Sequence, residues 1–202
     1  MRIIEAAQAL FVERGYAGTT IPAIAAAADV AVETVYRSAS GKAGLLADAV
    51  RSAVAGGVER ADVAVAERPA IRRIREEPDP VRALALYAAT QPGIWSRVGP
   101  LLRVLDAAAT SDDALQQLRD RLAAERLDGL RNGLGRMLDA RGVLRAGLTP
   151  DRAGDIVFTV CGLANYDAFT RECGWSDSDY ETWLADTLAA ALLDRGDGSP
   201  ST

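Results

Sequence analysis

Apolar residues recur at helical spacing along most of the chain, and runs of alternating β-branched residues are absent. A first helix is predicted from the row Ile3, Ile4, Ala7, Leu10 and Phe11. Gly15 stands where this helix should stop. Two short helices are predicted next, one to about Ala28 behind the N-cap pair Thr19-Thr20, and one from about Val32 to Ser38. A long helix should follow from Lys42.

Turn and capping residues divide the rest of the chain into further helices. Gly56-Gly57 should bend or weaken the long helix. Helix starts are predicted at Thr149-Pro150-Asp151, and at Ser176 for a final helix that ends near Asp194. Further breaks are expected at four segments rich in Gly, Pro, Ser or Asp: Gln91-Pro92-Gly93, Gly99-Pro100, Thr110 to Asp113, and Arg141 to Gly147. The pattern predicts an all-α protein.

Composition removes several classes of function. The chain has 202 residues, a formal net charge of −5, no histidine and two cysteines. Without histidine there is no His-based metal site, no Ser-His-Asp triad and no histidine general base. Cys161 and Cys173 form neither a zinc site nor a disulfide framework. We therefore expect no metal and no cofactor.

The sequence shows no recognisable targeting signal, and we therefore expect a cytoplasmic protein. The longest uncharged stretch late in the chain, Ile156 to Tyr166, is too short to span a bilayer. No charged start followed by an apolar segment marks a signal peptide. The sequence therefore predicts no membrane association.

The third short helix carries the side chains best suited to reading DNA. Val32 and Val35 form its apolar row, which leaves Thr34 and Tyr36 able to donate to phosphate oxygens. Glu33 and Arg37 can reach base edges or phosphates. Lys42, at the start of the next helix, can direct a cation at a backbone phosphate. A helix-turn-helix needs this arrangement of a bracing helix, a tight turn and a polar reading helix.

At these residues the sequence resembles the TetR family of bacterial transcriptional regulators. The similar stretch runs from Arg2 to about Val50, and its most specific parts are A-x-x-L-F-x-x-x-G-Y-x-x-T-T and the later T-V-Y followed by K-x-x-L-L. The resemblance implies a three-helix helix-turn-helix domain at 1–50, joined by a long helix to a larger ligand-binding and dimerisation domain at 51–194. Residues 195–202 are expected to form a disordered tail.

The resemblance also assigns roles by position. The reading-helix candidates are Glu33, Thr34, Arg37 and Ser38, and the phosphate-binding candidates are Thr20, Tyr36 and Lys42. The sequence departs from the family pattern at Ala39, where a bulky residue is usual, and at Asp29, where a glycine is usual in the turn. Each candidate also has a structural interpretation, since Tyr36 could pack at an edge, Glu33 could be solvated and Thr20 could be only a helix cap.

Charge makes the few named contacts important. Residues 1–50 hold four cations and five acids, a net charge of −1, which leaves −4 for the remainder. Nonspecific DNA affinity should therefore be modest and sensitive to salt. Lys42 is the only lysine among the 23 basic residues.

The C-terminal part offers apolar helices with surplus faces. The stretch Ile156 to Ala164 is apolar almost all round, and such a helix must bury two faces. The family dimerises through its last two long helices, so we expect a homodimer here. Interface candidates are Val157, Val160, Ala164, Trp175, Tyr180, Trp183, Leu184 and Leu188. A well-packed monomer core is the alternative.

The resemblance places an effector site in the middle of the C-terminal domain. Candidates for contact with this effector are Tyr87, Trp95, Leu101, Leu102, Leu105, Met137, Phe158, Cys161, Asn165 and Phe169. Most of them are equally suited to an ordinary core. Asn165 stands out because an amide in an apolar helix needs a hydrogen-bond partner, within the chain or across the dimer. The absence of histidine and lysine there favours a mainly apolar effector.

The leading functional hypothesis is a DNA-binding regulator, a homodimeric repressor that a small effector releases from a palindromic operator. One alternative is a helical interaction module without DNA binding, which the acidic first fifty residues keep open. A small all-helical enzyme is less favoured, since no paired carboxylate motif, phosphate loop or nucleophile elbow is found. Both cysteines look buried or structural.

Overall fold

The computed structural model describes residues 2–194, and the predicted disordered tail at 195–202 lies outside them. Helices dominate this part of the chain, which confirms the all-α prediction. The α-helices are α1 Arg2–Gly18, α2 Ile21–Ala28, α3 Val32–Ser38, α4 Gly41–Ala55, α5 Val58–Ala61, α6 Pro69–Glu76, α7 Pro80–Ala109, α8 Asp113–Leu130, α9 Arg136–Ala140, α10 Pro150–Val160, α11 Leu163–Asp167 and α12 Asp177–Leu192. A 3₁₀ turn lies at Val65–Glu67, and π-helical turns lie at Arg131–Gly135 and Ala168–Glu172.

Two compact units make up the described chain. Unit 1 contains residues 2–64 and 93–123, and unit 2 contains residues 65–92 and 124–194. Helix α7 contributes residues to both. The functional division at residue 50 stays a prediction, because the compact units follow packing and not function.

The first three helices form where capping residues and apolar spacing place them. The side chain of Thr20 accepts a hydrogen bond from Ala23 N at 3.2 Å and caps α2. Asp29 ends α2 in the left-handed conformation at φ 55°, the conformation that favours the glycine usual in this turn. At Gly15 the backbone of α1 kinks at φ 70° and ψ 176°, and a further turn continues to Gly18. Gly15 therefore interrupts the helix at the predicted position.

Helix α7 runs without a break through Pro92 and Pro100, so the breaks predicted at those two segments are wrong. A proline inside a helix removes one backbone hydrogen bond and costs about 3 kcal/mol. One face of α7 buries a long row of mostly apolar side chains, Leu84, Tyr87, Ala88, Gln91, Trp95, Val98, Leu101 and Leu105. Burial of one such side chain contributes about 1.5–3 kcal/mol, so the row outweighs the two prolines.

The predicted continuous apolar helix at 156–164 is divided in the structure. Helix α10 begins behind the N-cap Thr149, as expected, and ends at Val160. Cys161 and Gly162 interrupt the backbone before α11 begins. The final helix α12 begins with a capping box between Ser176 and Asp179, which confirms the predicted start.

Helix α10 lies very close to the π-helical turn Arg131–Gly135. A Cβ added at Gly154 would lie 2.7 Å from the backbone nitrogen and Cα of Arg131. A Cβ added at Gly135 would overlap the carbonyl oxygen of Pro150. Two glycines thus allow this approach, and an ion pair between Arg131 and Asp155 at 2.7 Å lies beside it.

Candidate nucleic-acid interface and effector site

Helix α3 is anchored by one buried side chain and presents its polar side chains outward. Val35 is buried, and Tyr36 is 61% exposed. Glu33, Arg37 and Ser38 are exposed, and Thr34 is half-buried. The hydroxyl of Ser38 donates to the carbonyl of Val35 at 2.9 Å, which caps the last turn. The predicted reading residues therefore share one short helix, and all except Thr34 lie largely in solvent.

Thr20 combines exposure with a capping role. Its side chain is exposed and accepts from the first turn of α2. A hydroxyl that accepts one hydrogen bond can still donate its own proton, so the cap does not prevent contact with a phosphate. Its neighbour Thr19 is fully buried and donates to Leu10 O at 3.0 Å or Gly15 O at 2.8 Å.

Lys42 has an internal role that its sequence position does not show. Its ammonium donates to the carbonyls of Tyr16 at 2.7 Å and Thr19 at 2.9 Å. It also lies 4.1 Å from the centre of the Tyr16 ring. These contacts join the start of α4 to the end of α1. An ammonium has three donors, so one remains for a phosphate.

The electrostatic surroundings of Lys42 include the turn between α7 and α8. Burial lowers the pKa of Lys42, and the carboxylate of Asp112 acts against that shift. Burial also raises the pKa of Tyr16, and Asp112 adds to that shift. Asp112 itself caps α8 by accepting from Ala114 N at 2.9 Å and Leu115 N at 3.1 Å. The predicted cation is thus held by two backbone carbonyls, and the charge of Asp112 favours its protonated form.

The predicted effector residues divide between the two units. Trp95, Leu101, Leu102 and Leu105 lie on α7 in unit 1, and all except the half-buried Leu102 are buried. Unit 2 contains the other six, Tyr87, Met137, Phe158, Cys161, Asn165 and Phe169. Neither unit therefore collects the whole predicted set.

Within unit 2 the structure brings Tyr87, Phe158 and Cys161 close to Arg126. The hydroxyl of Tyr87 and the thiol of Cys161 are hydrogen-bonded, and both side chains are buried. Arg126 donates to Phe158 O at 3.1 Å and Cys161 O at 2.9 Å, and its guanidinium carbon lies 4.7 Å from the centre of the Phe158 ring. Burial raises the pKa of Cys161 to about 12, although Arg126 and Tyr87 lower it. This thiol is therefore protonated at neutral pH.

Asn165 finds its hydrogen-bond partners within its own chain. Its amide nitrogen donates to Thr159 O at 2.8 Å and Val160 O at 3.1 Å. These are carbonyls at the end of α10, so the amide caps that helix across the Gly162 interruption. The amide oxygen remains as a possible acceptor for a ligand or a second chain.

Half of the predicted dimer contacts are core residues of a single chain. Val157, Tyr180, Leu184 and Leu188 are fully buried, so they have no surface to offer a partner, and their assignment to an interface is wrong. The apolar row of α12 faces the core of unit 2 together with α10. Ala164 is exposed, Trp175 is 36% exposed, and Val160 and Trp183 are half-buried. These four keep surface for a contact.

Sequence reasoning missed the position of Arg126 beside the predicted effector residues Phe158 and Cys161, because these partners lie 32 and 35 residues away along the chain. Of the two cysteines, which were expected to be buried or structural, Cys161 is buried and Cys173 is exposed. In the part of the chain that the structure describes, no three Cys, Asp or Glu side chains are placed to hold a metal ion. None of the helices in residues 2–194 is long and apolar enough to cross a membrane.

Comparison with known proteins gives a family model and several structures of the same fold. Residues 3–49 match the model described as bacterial regulatory proteins, tetR family. The transcriptional regulator FadR from Bacillus subtilis, solved with stearoyl-CoA, is 20% identical with a TM-score of 0.70, over 95% of this chain and 98% of that one. SmeT in complex with triclosan is 21% identical with a TM-score of 0.70, over 100% and 94% of the two chains.

A third structure of the same fold is NalD from Pseudomonas aeruginosa, the secondary repressor of the MexAB-OprM multidrug efflux pump. It is 20% identical with a TM-score of 0.66, over 96% of each chain. None of the curated proteins matches the chain by sequence.

Proposed function

The chain carries the N-terminal domain of the TetR family of bacterial regulatory proteins and has the fold of TetR-family regulators, and on this premise we propose that it is a ligand-responsive repressor. It binds a palindromic operator as a homodimer and is released by a small, mainly apolar effector. It is not an enzyme in this proposal. The observation that carries the proposal is the exposed polar face of α3, with Tyr36 61% exposed on a helix anchored by buried Val35.

DNA binding rests on α3 and the two helix starts beside it. Arg37 and Glu33 reach base edges, while Tyr36, Thr20 and the third donor of Lys42 bind phosphates. A homodimer presents two copies of α3, which must lie roughly 34–36 Å apart to enter successive major grooves. With a net charge of −1 over residues 1–50, specific contacts supply most of the affinity.

The first experiment measures binding of the purified protein to DNA from upstream of its own gene, by gel shift at low salt. A specific complex supports the proposal, and no complex at low salt favours the alternative of an interaction module without DNA binding.

Arg37→Ala should relax the base preference at one operator position, which corresponds to about 1–3 kcal/mol of discrimination. Arg136→Ala, a matched change at an exposed arginine of unit 2, should leave DNA binding unchanged. An unaltered preference in the Arg37 variant would remove this residue from the reading role.

Homodimerisation is proposed through the surface left on α10, α11 and α12. Ala164 and Trp175 are exposed and Trp183 is half-buried, so apolar area remains after the core is filled. Ala164→Glu should convert a dimer to a monomer, because a carboxylate would be buried without a partner. Ala123→Glu, on the exposed surface of α8, is the control. Sedimentation velocity at micromolar concentration measures the oligomeric state of the wild type and of both variants. A monomeric wild-type protein would contradict the proposal.

The effector is proposed to be mainly apolar and to bind in the C-terminal region. Support comes from Tyr87, Phe158 and Cys161, which lie around Arg126 in unit 2, and from the solved structures of the same fold that hold triclosan and stearoyl-CoA. An effector shifts the operator equilibrium only by as much as it prefers the released conformation. Addition of effector should therefore raise the dissociation constant for operator DNA by the same factor by which operator DNA weakens effector binding.

A further inference from the structure

Tyr180 carries a buried hydroxyl without a hydrogen-bond partner in the described part of the chain. The residue lies in the first turn of α12 and is fully buried. The neighbouring tyrosines are satisfied, since Tyr166 donates to Asp177 at 2.8 Å and Tyr87 is hydrogen-bonded to Cys161. An unsatisfied buried hydroxyl costs free energy, and native proteins keep few of them. Tyr180 thus differs from the two neighbouring tyrosines, and its free hydroxyl can donate to a partner from outside the chain.

Three aromatic rings surround Tyr180. The ring centres of Tyr166, Trp183 and Phe169 lie 5.2, 5.8 and 6.0 Å from that of Tyr180. All three rings are half-buried, and the exposed Trp175 packs on Phe169 at 4.5 Å. The aromatic cluster thus extends from the buried ring of Tyr180 to the exposed ring of Trp175. It supplies an apolar wall for the body of a ligand.

The rings also lie on an irregular stretch of backbone. Phe169 belongs to the π-helical turn Ala168–Glu172, between α11 and α12. Such turns occur frequently at functional sites.

The charges near Tyr180 favour an oxygen that accepts a hydrogen bond. Burial raises the pKa of Tyr180, so its hydroxyl stays protonated and can donate at neutral pH. Cys161, Arg126 and Tyr166 are the groups that act on it electrostatically, and none of them is a carboxylate. The half-buried Arg126 guanidinium already binds the carbonyls of Phe158 and Cys161, and its positive charge acts on Tyr180. An acceptor or an anionic oxygen suits this environment, and an ammonium does not.

We propose that Tyr180 is the polar contact of the effector site and donates its hydroxyl proton to an acceptor oxygen of the ligand. The ligand is an apolar molecule with a carbonyl or carboxylate oxygen, and its body lies against Tyr166, Phe169 and Trp183. This assignment rests on the proposed effector-responsive function and specifies its ligand chemistry. It gives Tyr180, a sequence-based candidate for dimer contact, a role within one chain.

Three matched ten-carbon probes test the assignment: butyrophenone with a ketone, 4-phenylbutanoate with a carboxylate, and butylbenzene with no oxygen. Their affinities for wild-type protein and for Tyr180→Phe are compared by equilibrium dialysis without DNA. The variant should bind the oxygenated probes about tenfold more weakly, which corresponds to one hydrogen bond, and bind butylbenzene as the wild type does. A loss for the carboxylate alone assigns an anionic effector, and a loss for the ketone alone assigns a neutral one.

Tyr166→Phe is the matched control, since it removes a hydroxyl that already has a partner in Asp177. This variant should lower the melting temperature, because the Asp177 carboxylate loses that donor. Tyr180→Phe without ligand should melt no lower than the wild type, because it removes an unsatisfied group.

Three results would overturn the assignment: no binding of either oxygenated probe to the wild type, equal binding to both proteins, or a Tyr180→Phe variant destabilised as Tyr166→Phe is. Operator binding in the gel shift is measured separately. Its persistence after any of these results would leave the proposed regulator intact and reject only the role of Tyr180.

Discussion

At the scale of single residues, Lys42 shows how one side chain serves structure and proposed function together. Its ammonium binds the carbonyl of Tyr16, in the last turn of α1, and the carbonyl of Thr19, just after that helix. The last carbonyls of a helix have no intrahelical partners. The same ammonium stands at the start of α4, and its third donor can bind a phosphate. Stability and DNA affinity are therefore linked at this position, and only a pair of variants can separate them.

Lys42→Ala should lower both quantities. We expect the free energy of unfolding to fall by about 1–3 kcal/mol, because two carbonyls lose a charged donor. DNA affinity should fall for all sequences alike, with the salt slope reduced by about one unit. Urea denaturation and a salt series of DNA titrations provide the measurements. Arg37→Ala, at an exposed site of α3, should affect DNA binding alone. Unchanged stability in the Lys42 variant would contradict the carbonyl contacts.

At the scale of helices, continuous burial outweighs local signals. The Gly-Pro and Gln-Pro-Gly segments predict breaks, yet α7 runs through both because its buried face extends along its whole length. In α10, by contrast, a glycine matters for the packing of the helix. There, Gly154 lets the backbone of Arg131 approach, and this contact is invisible in the sequence because the partners are 23 residues apart.

The closeness of α10 to the π-helical turn predicts unequal effects of two Gly→Ala changes. Gly154→Ala should reduce the free energy of unfolding by about 1–3 kcal/mol, because its Cβ would overlap the backbone of Arg131. Gly129→Ala, in α8 with no atom within 4 Å of the added Cβ, should increase stability by about 0.5–1 kcal/mol. Chemical denaturation of both variants checks the difference. Equal effects would argue against the close approach.

At the scale of the whole molecule, the absence of histidine and the buried tyrosines and thiol set the pH dependence of stability. No side chain with an ordinary pKa titrates between pH 6 and 8, so the free energy of unfolding should change little there. Burial raises the pKa of Cys161 and of Tyr166 to about 12 each, and it raises those of Tyr16, Tyr87 and Tyr180. The alkaline range is therefore where stability should fall.

Stability falls at alkaline pH because the folded and unfolded states lose their protons at different pH values. A raised pKa in the folded state means that the unfolded chain loses these protons first, from about pH 9 for the thiol and about pH 10 for the phenols. Their contribution to stability is complete below those values and is lost as pH rises towards the folded pKa. Each deeply buried group adds a slope of about 1.4 kcal/mol per pH unit in that window.

The thiol provides the test, since the chain contains one buried and one exposed cysteine. Cys161→Ser should make the fall in stability between about pH 9 and 12 shallower by about one such slope, because serine does not ionise there. Cys173→Ser should leave the curve unchanged. Urea midpoints measured at half-unit pH steps give the slopes. An identical slope in the two variants would contradict the burial of Cys161 in its protonated form.

Local signals predicted much of the fold and the first candidate site. Helices α2, α3 and α12 begin where Thr20, Val32 and Ser176 predict, because caps and helical periodicity act over three or four residues. The candidate reading face could be placed from sequence for the same reason. Residues spaced along one short helix share a face whatever the rest of the chain does.

By itself, then, the sequence determined the helical class, the helix-turn-helix segment and the residues placed on its reading helix, since all depend on neighbours along the chain. Tertiary structure alone decided which apolar rows are internal, so that Val157, Leu184 and Leu188 belong to the core of one chain and not to its surface. It also decided the partners of Lys42 and Arg126, and the burial of the Tyr180 hydroxyl. Burial and hydrogen bonding between distant segments depend on how helices pack, and a periodic pattern shows that a face is apolar without showing what covers it.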